Sequence, residues 1–255
     1  MSYETILVDL QDEVLTITLN RLEQNNTLTN ALIFDLLDAI ESTDDTTKII
    51  VLQGQKGIFC MGMDFNSLVE NTAQLSNANP YEFSSNYMQL LTTLSTINKI
   101  IVAKLDGKVL AGGVGLVAAS DLVYASHSTT FSLTEALWGL LPANVMPYLI
   151  RRIGFQAAYH MTITAETMNA EAAKQCHLVD EVLDTIDEKI IPKIARIRRL
   201  QTETILDLKN YFNQLNEVTD ETRQLAIDTL AELISKPRVQ TNIQNFVQNG
   251  TFPWS

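Results

Sequence analysis

The sequence predicts an α/β core followed by a helical C-terminal extension. Short apolar, strand-like runs alternate with helical segments as far as Pro142, and helical periodicity takes over from Tyr148 to the end. The chain has 255 residues, 46% apolar and 19% charged. That is enough to bury a sizeable core, and the balance is that of a globular protein rather than of disorder, collagen or a coiled coil.

TILVDL and VLTITL read as two strands opening antiparallel. Thr29 is placed to cap a helix whose apolar stripe is Leu32, Phe34, Leu36, Leu37 and Ile40. KIIVLQG reads as a buried strand stopped by glycine. The polar stretch Asn71–Pro80 reads as a mobile loop or an irregular helix start. A helix is expected from about Tyr81 to Leu94, then strands at KIIVAKLDG, SDLVYAS and TTFSL. The helical tail is interrupted around Pro192 and Pro237, with Pro192 expected in the first turn of a basic helix. No fixed-period repeat is visible. Residues 1–190 are expected to form the core and 191–255 the helical region, packed back on the core or on another subunit.

Eighteen Lys and Arg stand against thirty Asp and Glu, a net charge of −12, which disfavours nucleic acid or an anionic membrane as a general partner. No apolar run has the ~18 residues of a membrane span. The acidic N-terminus is unlike a signal peptide, and two cysteines, Cys60 and Cys176, suit a reducing compartment, so a cytoplasmic location is expected. The charge is uneven. Residues 1–100 hold four basic and thirteen acidic side chains, whereas 189–209 hold six basic and two acidic. Charge alone reads this island as a solvated helix face; an anionic partner steered to it is the other reading.

Familiar sites fall away. The histidines His127, His160 and His177 have no i,i+3 or i,i+4 ligand partner, so no metal is expected. There is no phosphate loop ending in Lys-Ser/Thr and no Gly-x-Ser-x-Gly elbow, and AGGVG lacks dinucleotide-loop spacing. What remains is two glycine stretches, VLQGQKGIFCMGMDF and IIVAKLDGKVLAGGVGLVAASD, the second with Gly112 and Gly113 at a strand-to-helix junction. Glycine lets a backbone N–H approach a ligand closely, and a helix start adds the positive end of its dipole. Two such N–H groups converging on one point would form an oxyanion hole.

LNRLEQNNTLTNALI, GIFCMGMDF, DGKVLAGGVGLVAASDLVYAS and FSLTEALWGLLP, in this order and spacing over about residues 5–180, resemble the crotonase (enoyl-CoA hydratase/isomerase) superfamily. The resemblance implies a crotonase-like superhelical core of ββα turns, a C-terminal helical trimerisation region, and thioester substrates on a phosphopantetheine arm, with no separate cofactor. It implies oxyanion-hole N–H groups at Met63 and Gly112, and brings Met61 and Gly113 to the substrate as their motif neighbours. The hydratases' two glutamates align with Glu135 and with Gly115, which can carry no proton. Ordinary two-carboxylate addition of water is thereby unexpected.

GKVLAGGVG, FSLTEALWGLLPANVMPYLIRRIG and the terminal FVQNGTFPWS are similar to the dehydratases of polyketide β-branching cassettes. That narrower resemblance implies dehydration of a 3-hydroxy-3-methylglutaryl group on an acyl carrier protein, with Glu135 shuttling one proton from C2 to the leaving hydroxyl. It implies a homotrimer or dimer of trimers, and carrier docking on Lys193, Arg196 and Arg199 in the basic island. Asn144 is expected either to orient the hydroxyl or a water, or to satisfy its own turn. Asp64 is expected to hold the turn beside the substrate, and Lys108, Tyr81 and Tyr87 are candidates for a distal carboxylate. Phe252 and Trp254 are expected to pack the tail on the core. A decarboxylase or acyl-CoA hydratase/isomerase of the same fold, or a carrier-binding scaffold without catalysis, are the rival readings.

Overall fold

The computed structural model describes residues 3–72 and 79–254. It begins with an antiparallel hairpin of β1 (Ile6–Gln11) and β2 (Val14–Leu19). Asp12 and Glu13 both take positive φ, 48° and 68°, and close it in two residues with the twist the strands require. Thr29 caps α1 (Asn30–Glu41), its side chain accepting the Leu32 N–H at 3.2 Å. The buried stripe is Leu32, Ile33, Leu36, Leu37 and Ile40. Phe34, expected in it, lies about 200° round the helix from Leu32 and is 49% exposed.

The core repeats one unit. A strand enters a large sheet, a second strand enters a small sheet, and a helix follows. The first unit is β3 (Ile49–Gln53), β4 (Ile58–Cys60), α2 (Phe65–Thr72) and α3 (Pro80–Thr96). The second is β5 (Ile100–Leu105), β6 (Lys108–Leu110) and α4 (Gly112–Ala119); the third is β7 (Leu122–Ser126), β8 (Thr130–Ser132) and the single turn α5 (Glu135–Trp138). Asn79 and Pro80 start α3, with the Asn79 side chain accepting the Tyr81 N–H at 3.1 Å. Of the polar stretch expected as loop or helix start, Asn71 and Thr72 end α2, and 73–78 lie outside the described residues.

The chain continues through α6 (Met146–Ile153), α7 (Phe155–Thr164), β9 (Met168–Asn169), α8 (Ala170–Gln175), β10 (Glu181–Leu183), α9 (Ile186–Ile197), α10 (Thr202–Leu215), α11 (Asp220–Ser235) and α12 (Pro237–Asn249). Two short strands therefore interrupt the stretch expected to be helical. β10 completes the six-stranded sheet β1-β2-β3-β5-β7-β10, and β9 completes the four-stranded sheet β4-β6-β8-β9. Pro192 sits inside α9 rather than in its first turn, because Asp187 and Glu188 occupy that turn, where the helix dipole favours them. Among the described residues no helix is long and apolar enough to cross a membrane.

Alternation along the strands divides the large sheet into two faces. Ile50, Leu52, Ile101, Ala103 and Val123 join the main core with α1, α3 and α4. Ile49, Val51, Val102 and Tyr124 meet Ile186 and Ile190 of α9 on the other face. The boundary expected at 190/191 falls within α9. The later helices pack back on the core, where Ile227 and Leu230 of α11 and Val239 and Ile243 of α12 belong to the main cluster.

Candidate active site

Two tight connections build the site. After β4 the chain turns at Gly62 (φ 86°), and after β6 it turns at Ala111 (φ 48°, ψ −121°). The second is a conformation that costs a residue with a Cβ of order 1–3 kcal/mol. The turns touch: a Cβ on Gly62 would lie 2.6 Å from the Ala111 Cβ and 3.3 Å from the Gly112 nitrogen. Leu28 clamps the first turn as a parallel bridge, its N–H donating to the Gly62 carbonyl (2.7 Å) and its carbonyl accepting the Asp64 N–H (3.0 Å). In that pattern the flanking groups make the bonds, so the Met63 N–H faces the opposite side. Gly112 is the first residue of α4, where an N–H has no partner within the helix. Met63 and Gly112 both line one cavity of about 530 Å³.

Glu135 lines the same cavity from the start of α5. Its Oε2 is fully enclosed and has no hydrogen-bond partner among the described residues. Burial pushes the carboxyl up to about 7, against the pull of the Glu135 and Thr134 backbone N–H groups. A carboxyl with that pKa takes and returns protons near neutrality. If its carboxylate is the base, kcat/KM should rise with pH and level off above about pH 7; a flat profile between pH 5 and 9 would remove Glu135 from that role.

Met61 and Asp64 also border the cavity. Asp64 is almost fully buried and holds the turn, as expected: Arg21 donates to its Oδ2 at 3.0 Å, Thr27 Oγ1 to the same atom at 2.9 Å, and the Asn66 N–H to Oδ1 at 3.1 Å. Burial alone would raise this carboxyl, but the Arg21 and Thr27 bonds and the Arg21 charge hold it below its ordinary value. Removing Arg21 leaves a buried charge uncompensated. Arg21→Ala is expected to cost about 3 kcal/mol in thermal or urea unfolding, and a loss under about 0.5 kcal/mol would show the pair to be dispensable. Neither Arg21 nor Thr27 was singled out in the sequence, where only their place in LNRLEQNNTLT pointed to them.

Other expectations change. Asn144 borders the cavity, but its amide is committed to Ser84 of α3, donating to the Ser84 carbonyl (2.6 Å) and accepting from its hydroxyl (3.0 Å). It ties the loop before α6 to α3. Gly113 does not line the cavity; it packs on β4, where a Cβ would come within 2.5 Å of the Cys60 carbonyl oxygen. Tyr81 and Lys108 are also off the wall: Tyr81 is exposed and accepts from Gln224, and Lys108 is exposed at the start of β6. Tyr87 is on the wall and buried. Phe252 and Trp254 pack on Trp138, as expected, and in doing so form part of the cavity wall.

The basic island is dispersed. Lys209 is buried against Asp121 (2.8 Å), Arg198 reaches Glu13, and Lys193 pairs with Glu181 over the Tyr124 ring. Arg196 and Arg199 are exposed, and α9 packs on the face of the large sheet away from the main core.

The model of the enoyl-CoA hydratase/isomerase family matches residues 9–255. The chain belongs to that family. It is 32% identical to the bacillaene synthase dehydratase of Bacillus subtilis, over 100% of this chain and 98% of that one. It is 32% identical to the 2,3-dehydroadipyl-CoA hydratase of Escherichia coli, over 84% of this chain and 83% of that one. A crystal structure described as a polyketide biosynthesis enoyl-CoA hydratase from B. subtilis superposes with a TM-score of 0.93 at 31% identity, covering 99% of this chain and 100% of the other. The family member in hand is an enzyme of the hydro-lyase type, with the crotonase fold that the motifs implied.

Proposed function

We propose that this enzyme dehydrates 3-hydroxy-3-methylglutaryl groups carried on an acyl carrier protein, giving 3-methylglutaconyl-ACP for polyketide β-branching. The observation that carries the reading is the Glu135 carboxyl, whose enclosed Oε2 has no hydrogen-bond partner among the described residues, in a cavity that Met63 and Gly112 also line. Those two donors stabilise the thioester oxygen as it becomes an enolate. Glu135 takes the C2 proton, the C3–O bond breaks, and the same carboxyl returns that proton to the leaving oxygen as water. One carboxyl suffices if both groups leave from one face. The likeness to a polyketide synthase dehydratase along the whole chain supports a carrier-bound substrate.

Among the described residues the wall holds no Lys or Arg, so the distal carboxylate falls to neutral donors such as Gln24, Asn25 and Asn66. The enzyme is further proposed to act in the cytoplasm as a trimer or dimer of trimers, with no resident cofactor. Exposed Leu208, Tyr211, Phe212 and Leu215 on α10 supply an apolar face for such assembly.

Intact mass spectrometry of the loaded carrier protein, with and without enzyme, tests the reaction. The expected result is a loss of one water, about 18 Da by simple stoichiometry. A loss of water and carbon dioxide together would assign a decarboxylating role, and no change while free CoA esters turn over would reject the carrier-bound substrate.

A further inference from the structure

Of the carboxyls on the cavity wall, Asp64 is tied up by Arg21 and Thr27 and Glu135 is not, and a tyrosine closes the place where another side chain would enter beside α4. Tyr87, on α3, is 3% exposed, is stacked on Phe83 at 6.3 Å, and borders the cavity. Its hydroxyl donates to the Gly112 carbonyl on the first turn of α4. The ring covers that turn so closely that a Cβ on Gly115 would lie 2.2 Å from the Tyr87 oxygen and 3.3 Å from Cζ. Gly115 is thus the residue that admits the phenol, and the phenol is the group that any larger residue at 115 would displace.

We propose that Tyr87 is a polar group of this active site that works beside Glu135, a positioning residue whose hydroxyl oxygen accepts the hydrogen bond of the substrate's C3 hydroxyl. The O–H of Tyr87 is spent on Gly112, which leaves the oxygen lone pairs to accept. A C3 hydroxyl that donates to Tyr87 turns its own lone pair toward the carboxyl of Glu135, the group that must protonate it as it leaves. Tyr87 and Glu135 border one cavity, and the Glu135 charge is felt at the phenol. Burial, with the neighbouring Cys60 and Glu135, holds the phenol well above its ordinary pKa, so Tyr87 carries no proton through the reaction and acts by geometry. The inference rests on the hydro-lyase chemistry of the family, not on the identity of the acyl group.

Ligands without a distal carboxylate therefore test it separately from the proposed substrate. In a Glu135→Gln background, which halts turnover, the binding of 3-hydroxybutyryl-pantetheine is compared with that of butyryl-pantetheine. Tyr87→Phe keeps the ring stacked on Phe83, and is expected to weaken the hydroxylated ligand about 3- to 10-fold while leaving the saturated one unchanged. Gly115→Ala, which drives the hydroxyl off its seat, should produce the same selective loss, and combining it with Tyr87→Phe should add little. With Glu135 intact, Tyr87→Phe should lower kcat about 10- to 100-fold. Equal weakening of both ligands, or of neither, would overturn the assignment. Should Tyr87→Phe fail to fold, Gly115→Ala supplies the same comparison with the phenol still present.

Discussion

Replacing Glu135 by Gln is expected to abolish dehydration and to make the protein more stable above neutrality. In the proposed mechanism the loss follows from both proton transfers passing through one carboxyl. General acid–base catalysis contributes roughly 10²–10⁴-fold, and an amide supplies neither the base nor the acid, so kcat should fall at least about 10³-fold. The gain follows from burial. In the folded chain the Glu135 pKa is raised to about 7 from 4.5. A carboxyl raised by folding contributes its full stability below the unfolded pKa, and that contribution is lost as pH rises from about 4.5 through 7. The neutral amide does not ionise. At pH 8 Glu135→Gln should therefore exceed the wild type by about 1–3 kcal/mol, or roughly 2–8 °C in Tm, and the gap should close below about pH 4. An equal difference at both pH values would show that the change acts through packing and not through the ionised carboxyl.

Much of this site was legible in the sequence because its parts are backbone features with strong local signals. The glycine before Met63 and the glycines opening α4 sit where a Cβ would meet neighbouring atoms, so the two glycine stretches could be paired on local signals, whereas Met63, Gly112 and Glu135 were reached through the crotonase resemblance. What lay hidden depends on long-range packing. The repeated strand–strand–helix unit left no period in the sequence, since the first unit carries α2 and α3 between β4 and β5 whereas the later ones carry one short helix. β9 and β10, of two and three residues, are too short to break a helical pattern and exist through pairing with β8 and β7. The basic island was a property of the linear chain alone: folding brings Asp121, Glu13 and Glu181 to three of its six cations. The meeting of Tyr87 with Gly115 joins α3 to α4, and no local pattern in either segment announces it.

Proline at position 63 should inactivate the enzyme where alanine does not. In the proposed mechanism the oxyanion hole is built from main-chain N–H groups, so the Met63 side chain matters only as part of the cavity wall, and Met63→Ala should change kcat by less than about 5-fold for the loss of one apolar contact. Met63→Pro deletes the donor itself. The parallel bridge to Leu28 is made by the Gly62 carbonyl and the Asp64 N–H, so proline removes none of the bonds that hold the turn. What it removes is one of the two donors proposed for the enolate oxygen, a loss that typically costs roughly 10²–10³ in rate. The loss should fall on kcat, because the charge that the N–H stabilises develops only as the C2 proton leaves. A melting curve close to that of the wild type would separate this from collapse of the turn. A proline variant that folds and keeps more than about a tenth of wild-type kcat would remove Met63 from the hole and leave Gly112 as its single assigned donor.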